Sequence, residues 1–301
     1  MSRATEDKFL GALLGVAIGD ALGLPVTGMD AASIAQRHGA FTGYLSTGED
    51  GGDDQPAGQI SDKTDTVLCV VESLTTNDGL LDPININARL GFLIQGTSRQ
   101  WMSDAVVHGI EDAAARDGLV SEELVSEQEA TVAVRGVAVG LLHAVGAYDA
   151  AELERDASTV TRLTHGGDRA ARPVVQVAQA TCAAARFGDD LAQWADLVQT
   201  TIEDDLERRI AEIVTTVRDA ATFEDAVLAV VREGGEASAL GAIAGGIAGA
   251  RFGASGIPQQ LIDDLDARIY LSMAAPWYYR TVLRRAGTVI DLRVENDGFP
   301  R

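Results

Sequence analysis

Glycine recurs at every fourth position from Gly11 through Gly15 and Gly19 to Gly23, and again from Gly241 through Gly245 and Gly249 to Gly253. Residues four apart lie on one face of a helix. Each glycine inside a helix costs about 1 kcal/mol relative to alanine. Four on one stripe are tolerable when another backbone must come close enough to exclude a β-carbon. The spacing therefore predicts two long helices, one over about 4–24 and one from about 237, packed against each other at the centre of the fold. A shorter form at Gly136 and Gly140 predicts a further member of that centre. A membrane reading fits poorly, because apolar runs such as 240–250 are short and acidic residues flank them.

The rest of the chain is consistent with helices. Val67, Val71 and Leu74 follow a helical repeat, and segments at about 127–145, 150–164, 168–186, 189–203, 207–220 and 223–232 have helical period or propensity. Pro258 opens a short helix, the aromatic run Pro276–Arg280 packs across the bundle, and 289–294 reads as one extended segment. The Gly- and Asp-rich stretch 48–56 reads as a solvated surface loop, since it lacks the spacing of a calcium-binding loop. No series of alternating strands and no hairpin turn is present. Aromatic residues make up only 5% of the chain, which suits close helix packing. The expectation is an all-α, compact, orthogonally packed helical bundle forming one domain over residues 1–301.

Forty-five acidic against 24 basic residues give a net charge of −21, and Lys8 and Lys63 are the only lysines. This balance argues against general binding to nucleic acid or to an anionic membrane. Acidity with almost no lysine suggests a high-salt, halophilic cytoplasm in which counter-ions screen self-repulsion; an arginine-biased genome with an ordinary acidic protein is the alternative. Cys69 and Cys182 both lie in apolar helical patterns, which predicts two buried free thiols. The first residues do not read as a signal peptide. The expected location is cytoplasmic, and the sequence leaves the oligomeric state open.

Chemistry concentrates at one helix start. Ser61 is a good N-cap for a helix whose first turn holds Asp62, Lys63 and Asp65. The order Gly58-Gln59-Ile60-Ser61-Asp62-Lys63-Thr64, trailed by Glu72-Ser73-Leu74, resembles the ADP-ribosylglycohydrolase family, which includes the dinitrogenase-reductase-activating glycohydrolases. The run Gly11–Pro25, Arg135, the pair Thr164-His165, Phe223–Ala226 with Gly234-Gly235, and Gly253 followed by Ile257-Pro258 fall in the same order as in that family.

The resemblance implies an all-helical fold and hydrolysis of the glycosidic bond between ADP-ribose and a protein side chain or small molecule. Its implied partner is ADP-ribose or an ADP-ribosylated substrate, and its implied cofactor is Mg2+ or Mn2+, held by oxygen ligands. Carried over, the metal ligands fall on Ser61, Asp62, Glu236 and Ser238, while Lys63 and Ala239 stand where the family has ligands and Thr27 stands for a water-orienting glutamate. The departures cluster on one site and argue against a two-metal centre. The alternative reading is therefore a metal-free, catalytically inactive member, a pseudoenzyme that binds an ADP-ribose-like nucleotide or serves a structural role.

Lys63 is expected to fill the metal's space by pairing with Asp62 and Glu236. Asp62 and Glu236 are also the one acid/base pair available for a metal-independent hydrolase. His165 is a separate candidate, as a proton donor or hydrogen-bonding partner for a ligand, and a capping or core histidine is the reading preferred for it. Asp20, Asp104, Arg135 and Lys63 are candidate ligand-binding residues. For Asp20 a buried structural hydrogen bond is the other reading, and for Arg135 a salt bridge to an interior acid. His38, His108 and His143 are expected to be packing or surface residues.

Overall fold

The computed structural model describes residues 4–46, 56–198 and 202–288. The acidic loop expected at 48–56 (Pro56 apart) and the extended segment expected at 289–294 lie outside these residues. The described chain forms α1 (Glu6–Gly23), α2 (Ala31–His38), α3 (Asp62–Thr76), α4 (Pro83–Leu93), α5 (Asp104–Ala114), α6 (Ala130–Ala133), α7 (Gly136–Leu142) and α8 (Ala150–Thr161). It continues with α9 (Asp168–Phe187), α10 (Trp194–Leu197), α11 (Asp205–Asp219), α12 (Phe223–Val231), α13 (Ala237–Phe252), α14 (Gln259–Asp263) and α15 (Arg268–Arg285). No strand occurs among the described residues, where Asp30 and Gly234 form a single antiparallel bridge. The protein is all-α.

α1 and α13 pack along almost their whole length, and the glycines are the reason. A β-carbon on Gly15 would come closer than 3.0 Å to the Gly245 carbonyl oxygen, and one on Gly19 would strike that of Gly241. One on Gly11 would meet backbone at Gly249 and Gly253, and one on Gly23 would meet that of Ala237. Side chains on the other faces of both helices are buried as well, so the pair is enclosed by its neighbours. Glu6–Val26 is in fact long and apolar enough to cross a membrane, contrary to the expectation from run length; 83% of its most apolar 18-residue window is buried inside the bundle.

Three segments differ from expectation. Gly136 and Gly140 do not join the central pair; they let α7 approach the backbone of α9 at Val174 and Ala178. The helix expected over 127–145 is divided, because the chain turns between α6 and α7 at Val134 and Arg135. Only α10 and a preceding 3-10 turn form within 189–198. The aromatic run does cross the bundle: Tyr278 is fully buried, donates to the Ala138 carbonyl at 2.7 Å and packs with Phe9. Cys69 and Cys182 are free and buried, as expected, and desolvation pushes both thiols up to about 12.

Candidate functional site

The central helix pair positions the site. Asp20, near the end of α1, is fully buried and accepts hydrogen bonds from Ser61 N at 2.8 Å, Ser61 Oγ at 2.7 Å and Thr64 Oγ1 at 2.7 Å. Thr64 N adds a longer bond at 3.3 Å, and Ser238 Oγ, from the first turn of α13, donates at 2.6 Å. One carboxylate thus sits at the N-terminus of α3, where unpaired N–H groups and the helix dipole favour a negative charge. It also ties α1, α3 and α13 into one unit. Ser61 caps α3 as expected, with Lys63 N as its distant partner at 3.5 Å, but its strongest bond is the one it gives to Asp20.

Asp62 begins α3 and is fully buried. Its Oδ1 accepts from Lys63 Nζ at 2.6 Å, while Oδ2 is buried with no partner. Lys63 Nζ also reaches the Trp101 carbonyl at 3.5 Å. Desolvation pushes the Asp62 carboxyl up to about 6, against the opposing pull of Lys63. Glu236, the N-cap residue of α13, is exposed at the edge of this cluster and makes no side-chain cap bond. Partial desolvation, then the charge of Glu129, hold it above the ordinary carboxylate range, with Lys63 acting the other way. Lys63 therefore pairs directly with Asp62 but makes no direct bond to Glu236.

A second group of residues meets the first. Glu129, just before α6, approaches His165 Nε2 with Oε1 at 3.2 Å and accepts from Ser103 Oγ with Oε2 at 2.9 Å. Burial pushes Glu129 upward, but its bonds to His165 and Ser103 and the charges of His165 and Arg135 outweigh it and leave the carboxyl below its ordinary value. His165 is 1% exposed, and its Nδ1 lies 3.0 Å from Thr164 Oγ1, which accepts from Arg135 Nη1 at 2.8 Å. Ser103, Glu129, His165, Thr164 and Arg135 form one polar chain into the core.

Several nominated residues stand apart from where they were expected. Asp104 projects into solvent with its side chain 99% exposed and pairs with Arg99. Arg135 is fully buried, bonded to the Val160 carbonyl and Thr164, and makes no direct ion pair; desolvation lowers its guanidinium to about 10. His143, expected as a packing or surface residue, is buried and meets Asp156 at 2.8 Å. Glu129 was missed altogether. It is brought to His165 from 36 positions away in the chain, and no motif or periodicity marks it.

The donor set can be tested against the divalent cations that the resemblance implies. The Ser61 and Ser238 hydroxyls give their protons to Asp20, Ala239 offers no donor, and the one buried carboxylate among the carried-over ligands holds an ammonium at 2.6 Å. An ammonium about 4 Å from a dication costs about 8 kcal/mol at an effective dielectric near 20. Among the described residues no group of three or more His, Cys, Asp or Glu side chains is placed to share an ion. The residues present do not fit the two-metal centre.

The sequence model for "ADP-ribosylglycohydrolase" matches residues 1–222 and 213–288. The chain belongs to the ADP-ribosylglycohydrolase family. It is 25% identical over 314 residues to an uncharacterized protein of Archaeoglobus fulgidus, covering 93% of this chain and 98% of that one. It is 27% identical over 294 residues to the ADP-ribosyl-[dinitrogen reductase] glycohydrolase of Rhodospirillum rubrum, covering 88% of this chain and 92% of the relative. A solved structure titled "ADP-ribosylglycohydrolase-related protein complex" superposes with a TM-score of 0.73 at 23% identity, over 92% of this chain and 98% of that one, a likeness of fold.

Proposed function

We propose that this protein binds ADP-ribose or a closely related nucleotide without a divalent cation, and that it lacks the metal-dependent hydrolysis of its family. The observation that carries this reading is the Lys63–Asp62 pair at 2.6 Å, a cation built into the place where the family resemblance puts a metal ligand. Removing the ammonium would leave both oxygens of a fully buried carboxylate without a partner, so Lys63 is needed where it stands. Room for a ligand is present in a groove that takes Asp65 from the first turn of α3, although Asp62, Lys63 and Glu236 do not line it. This groove, of about 740 Å³, lies between α3, α4 and α15 and is lined by Ile60, Asp65, Cys69, Arg89, Phe92 and Tyr270, among others. That volume lies within the roughly 300–1,000 Å³ range of small-molecule sites.

The metal-independent hydrolase in which Asp62 and Glu236 share acid/base work gains no support, because Asp62 is sealed from solvent and bonded to Lys63. Calorimetric titration with ADP-ribose, once in EDTA and once with Mn2+, tests the proposal. Equal affinity under both conditions, with no release of ADP-ribose from ADP-ribosylated arginine or serine peptides, is the expected result. Binding that requires Mn2+, or turnover that EDTA abolishes, would overturn it.

A further inference from the structure

α15 is apolar on two faces. Leu271, Ala275, Tyr278 and Val282 are buried against the bundle, while Ile269, Met273 and Trp277 are 69%, 64% and 58% exposed. A helix that is apolar on both faces is one that is covered on both. Nine large hydrophobic side chains are exposed among the described residues, and four of them fall within positions 269–277. They form a patch, whereas the apolar residues of a bare surface are scattered singly. The fourth, Tyr270, stands at the edge of the stripe, donates to Glu72 and lines the groove between α3, α4 and α15, so that groove borders the face. The helix continues unbroken through Pro276.

The charges at the two ends of the stripe say what covers it. α15 holds four arginines and no acid, in a chain of net charge −21. At about 100° per residue, Ile269, Met273, Trp277 and Arg280 fall within about 40° of one line along the helix. Asp266 stands beyond the N-terminal end of that line, one position before the N-cap residue Ala267, and its N–H anchors it to the Gly58 carbonyl at 3.1 Å. Asp266 and Arg280 are each seven residues from Met273. Both are exposed, and neither has an ion-pair partner among the described residues; the Arg280 guanidinium lies over the Trp277 ring, 5.5 Å from its centre. We propose that two copies of this chain associate through α15, antiparallel about a two-fold axis at Met273. Such an interface is self-complementary. Ile269 of each copy meets Trp277 of the other, Asp266 of each stands beside Arg280 of the other, and the two helix dipoles oppose. A parallel pairing would instead set arginine against arginine.

Sedimentation velocity on the full chain, over a concentration series at fixed salt, tests the proposal. The natural chain is expected to pass from monomer to dimer as concentration rises. Met273→Asp sets two like charges on the two-fold axis and should stay monomeric. It should melt with the dilute natural chain, because Met273 is exposed in the single copy. Asp266→Arg and Arg280→Asp each bring like charges together twice per dimer and should weaken association about 10-fold. An equimolar mixture of these two variants restores both opposite-charge pairs and should dimerise as tightly as the natural chain. A natural chain that stays monomeric throughout, a dimer indifferent to Met273→Asp, or a mixture no tighter than the separate variants would overturn the proposal.

Discussion

Asp62 offers the sharpest test of the site's electrostatics. Burial sets its carboxyl at about 6 in the folded chain against an ordinary value of 3.8, even with Lys63 alongside. The folded state therefore holds the Asp62 proton more tightly than the unfolded state does. Its contribution to stability is fully present below about pH 4 and is lost as pH rises through about 6. The two values lie about two pH units apart, so at about 1.36 kcal/mol per unit the loss is about 3 kcal/mol. Asp62→Asn keeps the shape of the neutral form and cannot ionise. The variant should thus gain about 3 kcal/mol on the natural chain between pH 4 and pH 7. Urea unfolding of both proteins at several pH values and fixed ionic strength gives the difference curve, from which the many other titrating groups cancel. A flat curve would refute the reasoning, and would mean that the Lys63 ammonium offsets the whole cost of burying this charge.

Two further perturbations probe the frame and the second polar group. Gly15→Ala sets a methyl group against the Gly245 carbonyl, which cannot retreat without parting α1 from α13. Overpacking of about 3 kcal/mol should outweigh the gain of about 1 kcal/mol in helix propensity, giving a lower denaturation midpoint; a midpoint at or above that of the natural chain would show that the two helices separate easily. Glu129→Gln removes the negative charge that helps hold Glu236 above the ordinary carboxylate range. Carboxyl-resolved NMR titration should then show Glu236 ionising at lower pH, and an unmoved titration would place the two groups out of electrostatic reach.

The centre of the fold was readable because its signal is local and repeated. Glycines at a four-residue step report a close backbone approach, and the two stripes pair as that spacing requires. The Lys63–Asp62 pair was readable from a lysine standing where the resembled family has a ligand, next to the one carried-over carboxylate in the same turn, while the expected bond to Glu236 does not form. What the sequence obscured depends on partners distant in the chain. Gly136 and Gly140 carry the same mark as the central stripes, but the pattern does not say which helix comes close, and it is α9. Helical propensity runs through Val134 and Arg135, yet the chain turns there, where Arg135 bonds Val160 and Thr164 across the core. Glu129 is brought to His165 by folding over 36 positions of chain, and no periodicity marks it. Asp104 sits in the first turn of α5, a favourable place for an acid whether or not a ligand lies near.

Manganese binding, followed by electron paramagnetic resonance in molar salt, bears most directly on the claim that Lys63 occupies the metal's place. The natural chain should leave Mn2+ free at millimolar concentration, since a penalty of about 8 kcal/mol corresponds to nearly six orders of magnitude in affinity. The triple variant Lys63→Asp, Ser238→Asp, Ala239→Thr, which removes the ammonium and supplies the missing oxygen donors, should bind the ion. Bound Mn2+ at micromolar affinity in the natural chain would contradict the account.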